Sequence, residues 1–241
     1  MKIIICENYE EMSAKAAEIV AEGIRNNPEL RLGLATGSTP VGMYDNLAAL
    51  CNEGKCDFAK VVTFNLDEYY PITPENPQSY RYFMDKNLFD RVNIDKKSTH
   101  VPDGTAKDTA AHCKAYDEAI KAAGGVDIQV IGIGPNGHIG FNEPDDYLVP
   151  GTHLTDLTES TLQANSRFFS ADEVMPTKAL TMGIGSILSA RHILCLASGK
   201  AKNPALKKLT EGVITTQTPV TFLHLHDNVT IICDKEAYYG E

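Results

Sequence analysis

The chain has 241 residues, of which 43% are hydrophobic and 22% charged, as in an ordinary soluble globular protein. The formal net charge of -10 argues against nucleic acid or an anionic membrane surface as a partner. The N-terminus has no secretory signal pattern and no apolar stretch approaches a membrane span, so we expect a cytoplasmic protein. The cysteines form no C-x-x-C pair, and we expect reduced, mostly buried thiols at Cys6, Cys51, Cys56, Cys113, Cys195 and Cys233.

Strand-like apolar runs alternate with helix-like segments along the chain. Hydrophobic residues recur at helical spacing over 9–26, and an alanine-rich stretch over 106–123 predicts a second helix. Between these helices, Thr39 and Pro40 form the pattern of a helix cap followed by a first helical residue. The predicted strands are 2–6, 31–35, 61–66, 126–134, 192–198, 219–225 and 229–234, and the last two are expected to pair as an antiparallel edge.

This alternation predicts a single α/β domain over residues 1–241, with a Rossmann-like, mostly parallel sheet between two layers of helices (α/β/α). In such sheets, sites form in loops beyond the carboxyl ends of strands. Four polar loops follow predicted strands, namely TGSTP, DEYYP, GPNGHIGFNEP and SGKAK, and we expect them to build one site. The polar segment 147–165 contains Pro and Gly and is predicted to be a lid.

The stretch IGIGPNGHIGFNEP contains a G-x-G-x-x-G motif at Gly132, Gly134 and Gly137. A dinucleotide-binding turn requires a helix of reasonable length directly after the glycines, and Pro144 stops any helix here. We therefore interpret the glycines as a loop that lets the backbone approach a ligand.

Acid–base side chains lie in two of the four loops. His138 and Glu143 could form a base with an orienting carboxylate, and the alternative is a structural histidine bonded to a loop carbonyl. Asp67 and Glu68 follow an apolar strand, and one of them is expected to face the cleft as a base for a proton α to a carbonyl. The alternative for this pair is a solvated strand end or a helix cap.

The turn TGSTP lies between a strand and a helix, where free N–H groups and a helix N-terminus can bind phosphate. It lacks the lysine of a P-loop, so a nucleoside triphosphate is not implied. The alternative for this turn is a plain helix start. Arg167 and Lys202 could add the cations that a phosphate needs, and the alternative for each of them is a solvated surface charge.

In the motifs of these loops, and over nearly its whole length, the chain resembles the glucosamine-6-phosphate deaminase family. The resemblance rests on LGLATGSTPVGMY, VVTFNLDEYY, GIGPNGHIGFNEP and QANSRFF, which occur in the family's order and spacing. It implies conversion of glucosamine 6-phosphate and water to fructose 6-phosphate and ammonia in amino sugar catabolism, with no metal or other cofactor. The related 6-phosphogluconolactonases share the fold and a similar glycine–histidine loop, but they lack the FNEP stretch.

The resemblance also implies roles for residues at matching positions. Asp67 would carry the proton between C2 and C1 of the opened sugar, His138 would assist ring opening, and Glu143 would orient His138. Asn136 lies where many members have an aspartate assigned to ring opening, and an amide can hydrogen-bond there but cannot act as a base. The 6-phosphate would be held by Gly37, Ser38, Thr39, Arg167 and Lys202.

A second departure from the family concerns regulation. Hexameric, allosteric members hold the activator N-acetylglucosamine 6-phosphate with Ser, Arg and Lys after the NEP motif, whereas this chain has Asp146, His153 and Thr155. A carboxylate there repels phosphate, so we expect no such allosteric site and a monomer or small homo-oligomer. The competing functions are a 6-phosphogluconolactonase-type hydrolase and a non-catalytic sugar-phosphate sensor.

Overall fold

The computed structural model describes residues 1–166, 169 and 173–241. Its strands are β1 (Lys2–Cys6), β2 (Arg31–Leu34), β3 (Val62–Asn65), β4 (Asp67–Tyr70), β5 (Thr99–His100), β6 (Ile128–Gly132), β7 (His153–Asp156), β8 (Lys178–Thr181), β9 (His192–Ala197) and β10 (Val229–Asp234). Seven of them form a sheet in the order β1-β10-β9-β6-β2-β3-β5, and every neighbouring pair in it is parallel.

Helices cover both faces of this sheet. They are α1 (Tyr9–Asn26), α2 (Val41–Asn52), α3 (Tyr80–Asn87), α4 (Thr109–Ala122), α5 (Glu159–Ser166), α6 (Ile184–Leu188), α7 (Asn203–Thr210) and α8 (Lys235–Tyr239). One apolar core joins α1, α2 and α3 to one face of the sheet, and a second joins α4, α6, α7 and α8 to the other. The predicted three-layer, mostly parallel α/β fold is therefore confirmed.

A second sheet was not predicted. It has three antiparallel strands in the order β4-β8-β7. The sequence interpretation placed Asp67 and Glu68 at the end of a strand, but they begin β4, one residue after β3 ends. Because β3 and β4 belong to different sheets, the chain bends at Leu66, and Asp67 lies where the two sheets meet.

The prediction of a strand over 219–225 is wrong. Pro219–Leu225 is a 3-10 helix, in which Val220 and Leu223 are buried while Leu225 is exposed. Pro219 and Thr221 are buried as well, so burial follows no single period here. The backbone bonds join residues three apart, as in the Thr221 N–H that donates to the Thr218 carbonyl at 2.9 Å, and this is the pattern of a 3-10 helix. The predicted antiparallel edge is also absent, since β10 lies inside the sheet and pairs in parallel with β1 and β9.

Four further expectations concern local features. Thr39 does not cap the helix that follows it, since α2 begins at Val41 with Pro40 as an N-cap that makes no side-chain bond. All six cysteines are free, and five of them are buried, with Cys51 partly exposed. Across the described residues, we found no helix with both the length and the apolar character needed to cross a membrane. The segment 147–165 contains β7 and most of α5, and its motion as a lid stays a prediction.

Candidate active site

One cleft of about 310 Å³ opens at the carboxyl ends of the parallel strands. The four loops singled out in the sequence meet there, as predicted. In chain order, the four loops contribute to the wall of the cleft as follows: Gly37, Ser38 and Thr39 from the first, Asp67 from the second, His138 from the third and Lys202 from the fourth. The rest of the lining consists of Ala35, Thr36, Leu66, Tyr80, Gly132, Ile133, Gly134, Pro135, Gly140, Phe141 and Thr161.

Asp67 is a buried carboxyl group whose charged form the protein stabilises little. Its side chain lines the cleft, although the residue is only 6% exposed. Its buried Oδ1 accepts no hydrogen bond from any of the described residues. Burial and the charge of Glu68 raise the pKa of Asp67 to about 8. A carboxyl group in this state can exchange a proton near neutral pH.

Glu68 points away from the cleft and has a structural environment. Its carboxylate accepts backbone N–H groups of Tyr69 at 2.9 Å, Tyr80 at 2.8 Å and Arg81 at 2.9 Å. Two of these donors belong to the first turn of α3, where a negative charge is favourable. Burial raises the pKa of Glu68 to about 7, and the three N–H groups oppose that rise. As predicted, only one of the two adjacent acids faces the cleft.

His138 and Glu143 form the pair expected from their spacing. His138 Nδ1 lies 3.2 Å from Glu143 Oε2, and the same oxygen accepts Asn136 Nδ2 at 2.8 Å. The other oxygen, Oε1, accepts the hydroxyl of Thr161 at 2.5 Å. Burial alone would raise the pKa of Glu143, but hydrogen bonds from His138, Thr161 and Asn136 and the histidine charge lower it to about 2. Glu143 is therefore ionised at neutral pH, and its oxygens can only accept.

The glycine loop places the histidine ring. A Cβ on Gly134 would lie 2.2 Å from Cε1 of His138, so the ring packs directly on the Gly134 backbone. Gly137 has a φ of +87°, which favours glycine, and its N–H donates to the Gly134 carbonyl at 2.9 Å. The G-x-G-x-x-G motif thus forms a tight turn against which the His138 ring packs.

Asn136 is exposed and does not line the cleft. Its Oδ1 accepts the backbone N–H of His138 at 3.2 Å while its Nδ2 donates to Glu143. This geometry orients the histidine loop. A part for Asn136 in ring opening stays a prediction.

The turn after β2 is the polar end of the cleft. Gly37 has a φ of +92°, and a Cβ there would meet nothing within 4 Å. Within the described chain, no residue accepts a hydrogen bond from the N–H groups of Gly37, Ser38 or Thr39. Tyr9 holds the turn from behind, because its hydroxyl donates to the Ser38 carbonyl at 3.1 Å and accepts Gly42 N–H at 2.8 Å. The turn therefore lines the cleft with residues whose N–H groups have no acceptor in the described chain.

Lys202 brings a cation to the same cleft. It ends the 3-10 helix Lys200–Lys202, and burial lowers the pKa of Lys202 from its ordinary value. In the described part of the chain it makes no ion pair with a carboxylate. Asp234 fixes the preceding loop by accepting Ser198 Oγ at 2.5 Å and Gly199 N–H at 3.1 Å. Arg167, the other predicted cation, lies outside the described residues.

Sequence reasoning missed three side chains of the cleft. Thr161 binds Glu143, and the stacked rings of Tyr80 and Phe141, with centroids 6.1 Å apart, form part of the wall. Tyr80 lies outside the four loops and the predicted lid, so its sequence position gives no signal of a site. Thr161 lies in the predicted lid segment 147–165, but nothing in the sequence singles out its side chain. Across the described residues, no group of three or more His, Cys, Asp or Glu side chains is arranged to hold a metal ion.

Comparisons with known proteins agree with this geometry. The family model of glucosamine-6-phosphate isomerases and 6-phosphogluconolactonases matches residues 7–232. Proteins named glucosamine-6-phosphate deaminase from Thermoanaerobacter sp. (strain X514) and Halothermothrix orenii are each 54% identical, covering 98% of this chain and 94% and 98% of those relatives.

Solved structures give the same family. The structure of a protein described as a monomeric glucosamine-6-phosphate deaminase superposes with a TM-score of 0.95 at 44% identity, over 98% of both chains. A 6-phosphogluconolactonase from Thermotoga maritima superposes with a TM-score of 0.74 at 21% identity, over 97% of this chain and 98% of that one, which shows a shared fold alone. The chain belongs to the glucosamine-6-phosphate deaminase family.

Proposed function

We propose that this enzyme converts glucosamine 6-phosphate and water to fructose 6-phosphate and ammonia. The relatives at 52–54% identity carry the name of that activity. The observation that carries the proposal in the structure is Asp67, a buried carboxyl group without a hydrogen bond to Oδ1, in the same cleft as the His138–Glu143 pair.

The substrate's phosphate binds at the turn after β2. Gly37, Ser38 and Thr39 offer backbone N–H groups there, and Lys202 adds a positive charge that no carboxylate of the described chain neutralises. Arg167 stays a predicted further contact. Fixing the phosphate at one end places the sugar ring along the cleft toward Asp67 and His138.

Ring opening belongs to His138. Because Glu143 is ionised and only accepts, Nδ1 of His138 carries the proton that points to it. Nε2 of the neutral ring is then the free base. It takes the proton of the C1 hydroxyl and returns a proton to the ring oxygen as the C1–O5 bond breaks, which leaves an open-chain aldehyde.

Asp67 then moves the C2 proton. Its carboxylate removes the proton from C2, the electron pair forms a C1=C2 double bond, and the aldehyde oxygen gains a proton. Return of the proton to C1 leaves an imine at C2, which water hydrolyses to the ketone and ammonia. Burial makes this carboxylate a stronger base than an exposed aspartate, as removal of a weakly acidic C–H proton requires.

Ammonia release from glucosamine 6-phosphate, with no added metal, tests the proposal. The wild-type enzyme should release ammonia and fructose 6-phosphate in equal amounts, and Asp67→Asn should lose roughly 10²–10⁴-fold in kcat. Hydrolysis of 6-phosphogluconolactone by the wild type, without ammonia from the amino sugar, would favour the lactonase instead. Phosphate-sugar binding with no turnover of either substrate would favour a sensor.

We also propose that the enzyme acts as a monomer without activation by N-acetylglucosamine 6-phosphate. The relative at 44% identity is described as monomeric. Asp146 is exposed, and His153 Nδ1 is bonded to the Gly151 carbonyl at 2.9 Å, so neither position offers a free cation to a phosphate. Light scattering should give the mass of one chain, and the rate curve should be hyperbolic with and without that ligand. A sigmoidal curve that the ligand makes hyperbolic would contradict this.

A further inference from the structure

Thr161 is the side chain through which helix α5 contacts the catalytic pair. The residue is 7% exposed and lines the cleft. Its hydroxyl donates to Oε1 of Glu143 at 2.5 Å, on the oxygen opposite the one that faces His138. Every other hydrogen bond to the Glu143 carboxylate from the described residues comes from its own loop, at Asn136 and His138.

The direction of this hydrogen bond is fixed on both sides. Glu143 is ionised and can only accept, so the Thr161 hydroxyl must donate to it. The lone pairs of that hydroxyl face Thr158, whose own hydroxyl lies 3.1 Å away and donates to Thr161. Thr158 Oγ1 also accepts the backbone N–H of Thr161 at 3.3 Å, as a residue that precedes a helix commonly does. The start of α5 is thus connected to Glu143 by two hydroxyl groups in series.

Helix α5 is itself held by apolar contacts. Leu157, just before the helix, belongs to a buried cluster with Tyr69 and Phe141, and Leu162 packs against that cluster. Phe141 lines the same cleft as Thr161. The position of Thr161 therefore depends on packing against a wall of the cleft and not on Glu143 alone.

We propose that Thr161 is a positioning residue that connects helix α5 to the Glu143–His138 pair, and that its hydroxyl sets the orientation in which His138 opens the sugar ring. This role rests on the proposed function. In this role Thr161 acts through its hydrogen bond to Glu143 and not directly on the substrate. Its loss therefore slows the ring-opening step and leaves the binding of phosphate and of an already open sugar chain intact.

Two substitutions separate the hydroxyl from the packing. Thr161→Val keeps the shape and removes the donor, and Thr161→Ser keeps the donor and removes a methyl group. We expect Thr161→Val to lower kcat roughly 10–100-fold, because a hydrogen bond to a charged group is lost, with KM changed by less than about 3-fold. We expect Thr161→Ser to stay within about 3-fold of the wild type in both constants. Equal losses in the two variants, or no loss in Thr161→Val, would overturn the proposal.

Affinity for an open-chain amino-alditol 6-phosphate is the second measurement, because this probe needs no ring opening. Its Kd should be the same in the wild type and Thr161→Val within about 3-fold. A Kd that rises in parallel with the loss of kcat would show that the substitution disturbs the cleft as a whole, and it would overturn the positioning role.

A third measurement requires no catalysis. In the resting enzyme, the carboxyl carbon of Glu143 can be titrated by ¹³C NMR. Removing the Thr161 donor should raise the pKa of Glu143 in Thr161→Val and leave it unchanged in Thr161→Ser. An unchanged titration in Thr161→Val would overturn the connection. If wild-type enzyme released no ammonia, the proposed function would fail, and this titration would still decide whether Thr161 controls Glu143.

Discussion

In the same cleft, Asp67 has a buried oxygen that accepts no hydrogen bond from any described residue, whereas both oxygens of Glu143 accept hydrogen bonds. Burial raises the pKa of Asp67 to about 8, with the charge of Glu68 as a second cause. Burial acts on Glu143 in the same direction, but its hydrogen-bond donors and the charge of His138 lower the pKa to about 2.

The difference shows how one cleft uses two carboxylates for two tasks. A group that takes and returns a proton must have two protonation states of similar free energy near the working pH. A group that orients a histidine must keep its charge throughout, and saturating it with donors achieves this. Hydrogen-bond donors and a cationic neighbour distinguish Glu143 from Asp67, which is the more deeply buried of the two and lies beside another acid.

Removing the fixed charge of Glu143 is expected to change both rate and stability. Glu143→Gln should lower kcat by roughly 10²-fold, because the neutral amide no longer favours the Nδ1–H form of His138 or stabilises its cation. The free energy of unfolding at pH 7 should also fall, by about 1–3 kcal/mol. Steady-state rates and chemical denaturation measure the two effects.

The pH dependence gives the sign of the stability effect. The pKa of Glu143 is lowered from 4.5 to about 2, so its stabilisation is fully present above pH 4.5 and is lost as the pH falls toward 2. The stability difference between wild type and Glu143→Gln should shrink over that window. Glu22→Gln, on the exposed surface of α1, should change neither rate nor stability. A constant difference from pH 7 to pH 2 would contradict a fixed charge at Glu143.

Removing the titrating group should have the opposite effect on stability. The pKa of Asp67 is raised from 3.8 to about 8, so ionisation of the unfolded chain destabilises the fold increasingly over that range. Asp67→Asn should therefore stabilise the protein by on the order of 2–4 kcal/mol at pH 8 and by little at pH 4, while it lowers kcat roughly 10²–10⁴-fold. Denaturation at both pH values measures this.

A matched control is Asp227→Asn, which changes an exposed aspartate and should alter stability by less than about 0.5 kcal/mol at either pH. An Asp67→Asn protein that is less stable than wild type at pH 8 would mean that the folded protein stabilises the ionised carboxylate of Asp67. The contrast with Glu143 would then be lost.

The smallest expected effect concerns Glu68. Because burial is the first cause of the raised pKa of Asp67 and the charge of Glu68 the second, Glu68→Gln should lower that pKa but leave it well above the ordinary value of 3.8. The ¹³C titration of the Asp67 carboxyl group measures the change. A drop to the ordinary aspartate range would make the neighbouring charge, and not burial, the main cause.

Much of the main sheet could be predicted because its strands are short apolar runs separated by polar, glycine-containing turns. The second sheet was missed since β4, with the sequence DEYY, and β7, with HLTD, lack an apolar run or a clear alternation. The segment 219–225 was mistaken for a strand because its apolar residues fit two periods over seven positions, and only tertiary packing decides between them.

The site could be predicted where residues follow a strand of the main sheet, as with His138 in the loop after β6 and with Asp67 just after β3. The pairing of His138 with Glu143 followed from spacing. The environments of Asp67 and Glu143 could not be predicted from spacing. The donors to Glu143 include Thr161, which lies 18 residues further along the chain, and the burial of Asp67 depends on the junction of two sheets. Such features arise from contacts between distant segments.

The most direct test of the account is the titration of the Asp67 carboxyl group in the resting wild-type enzyme. Aspartate labelled with ¹³C at the side-chain carboxyl, with the Asp67→Asn spectrum to assign the resonance, gives its pKa without any assumption about the rate-limiting step. The account predicts a midpoint well above the ordinary value of 3.8, at about 8. A midpoint at or below that ordinary value would show a permanently charged carboxylate and would contradict the assignment of Asp67 as the group that carries the C2 proton.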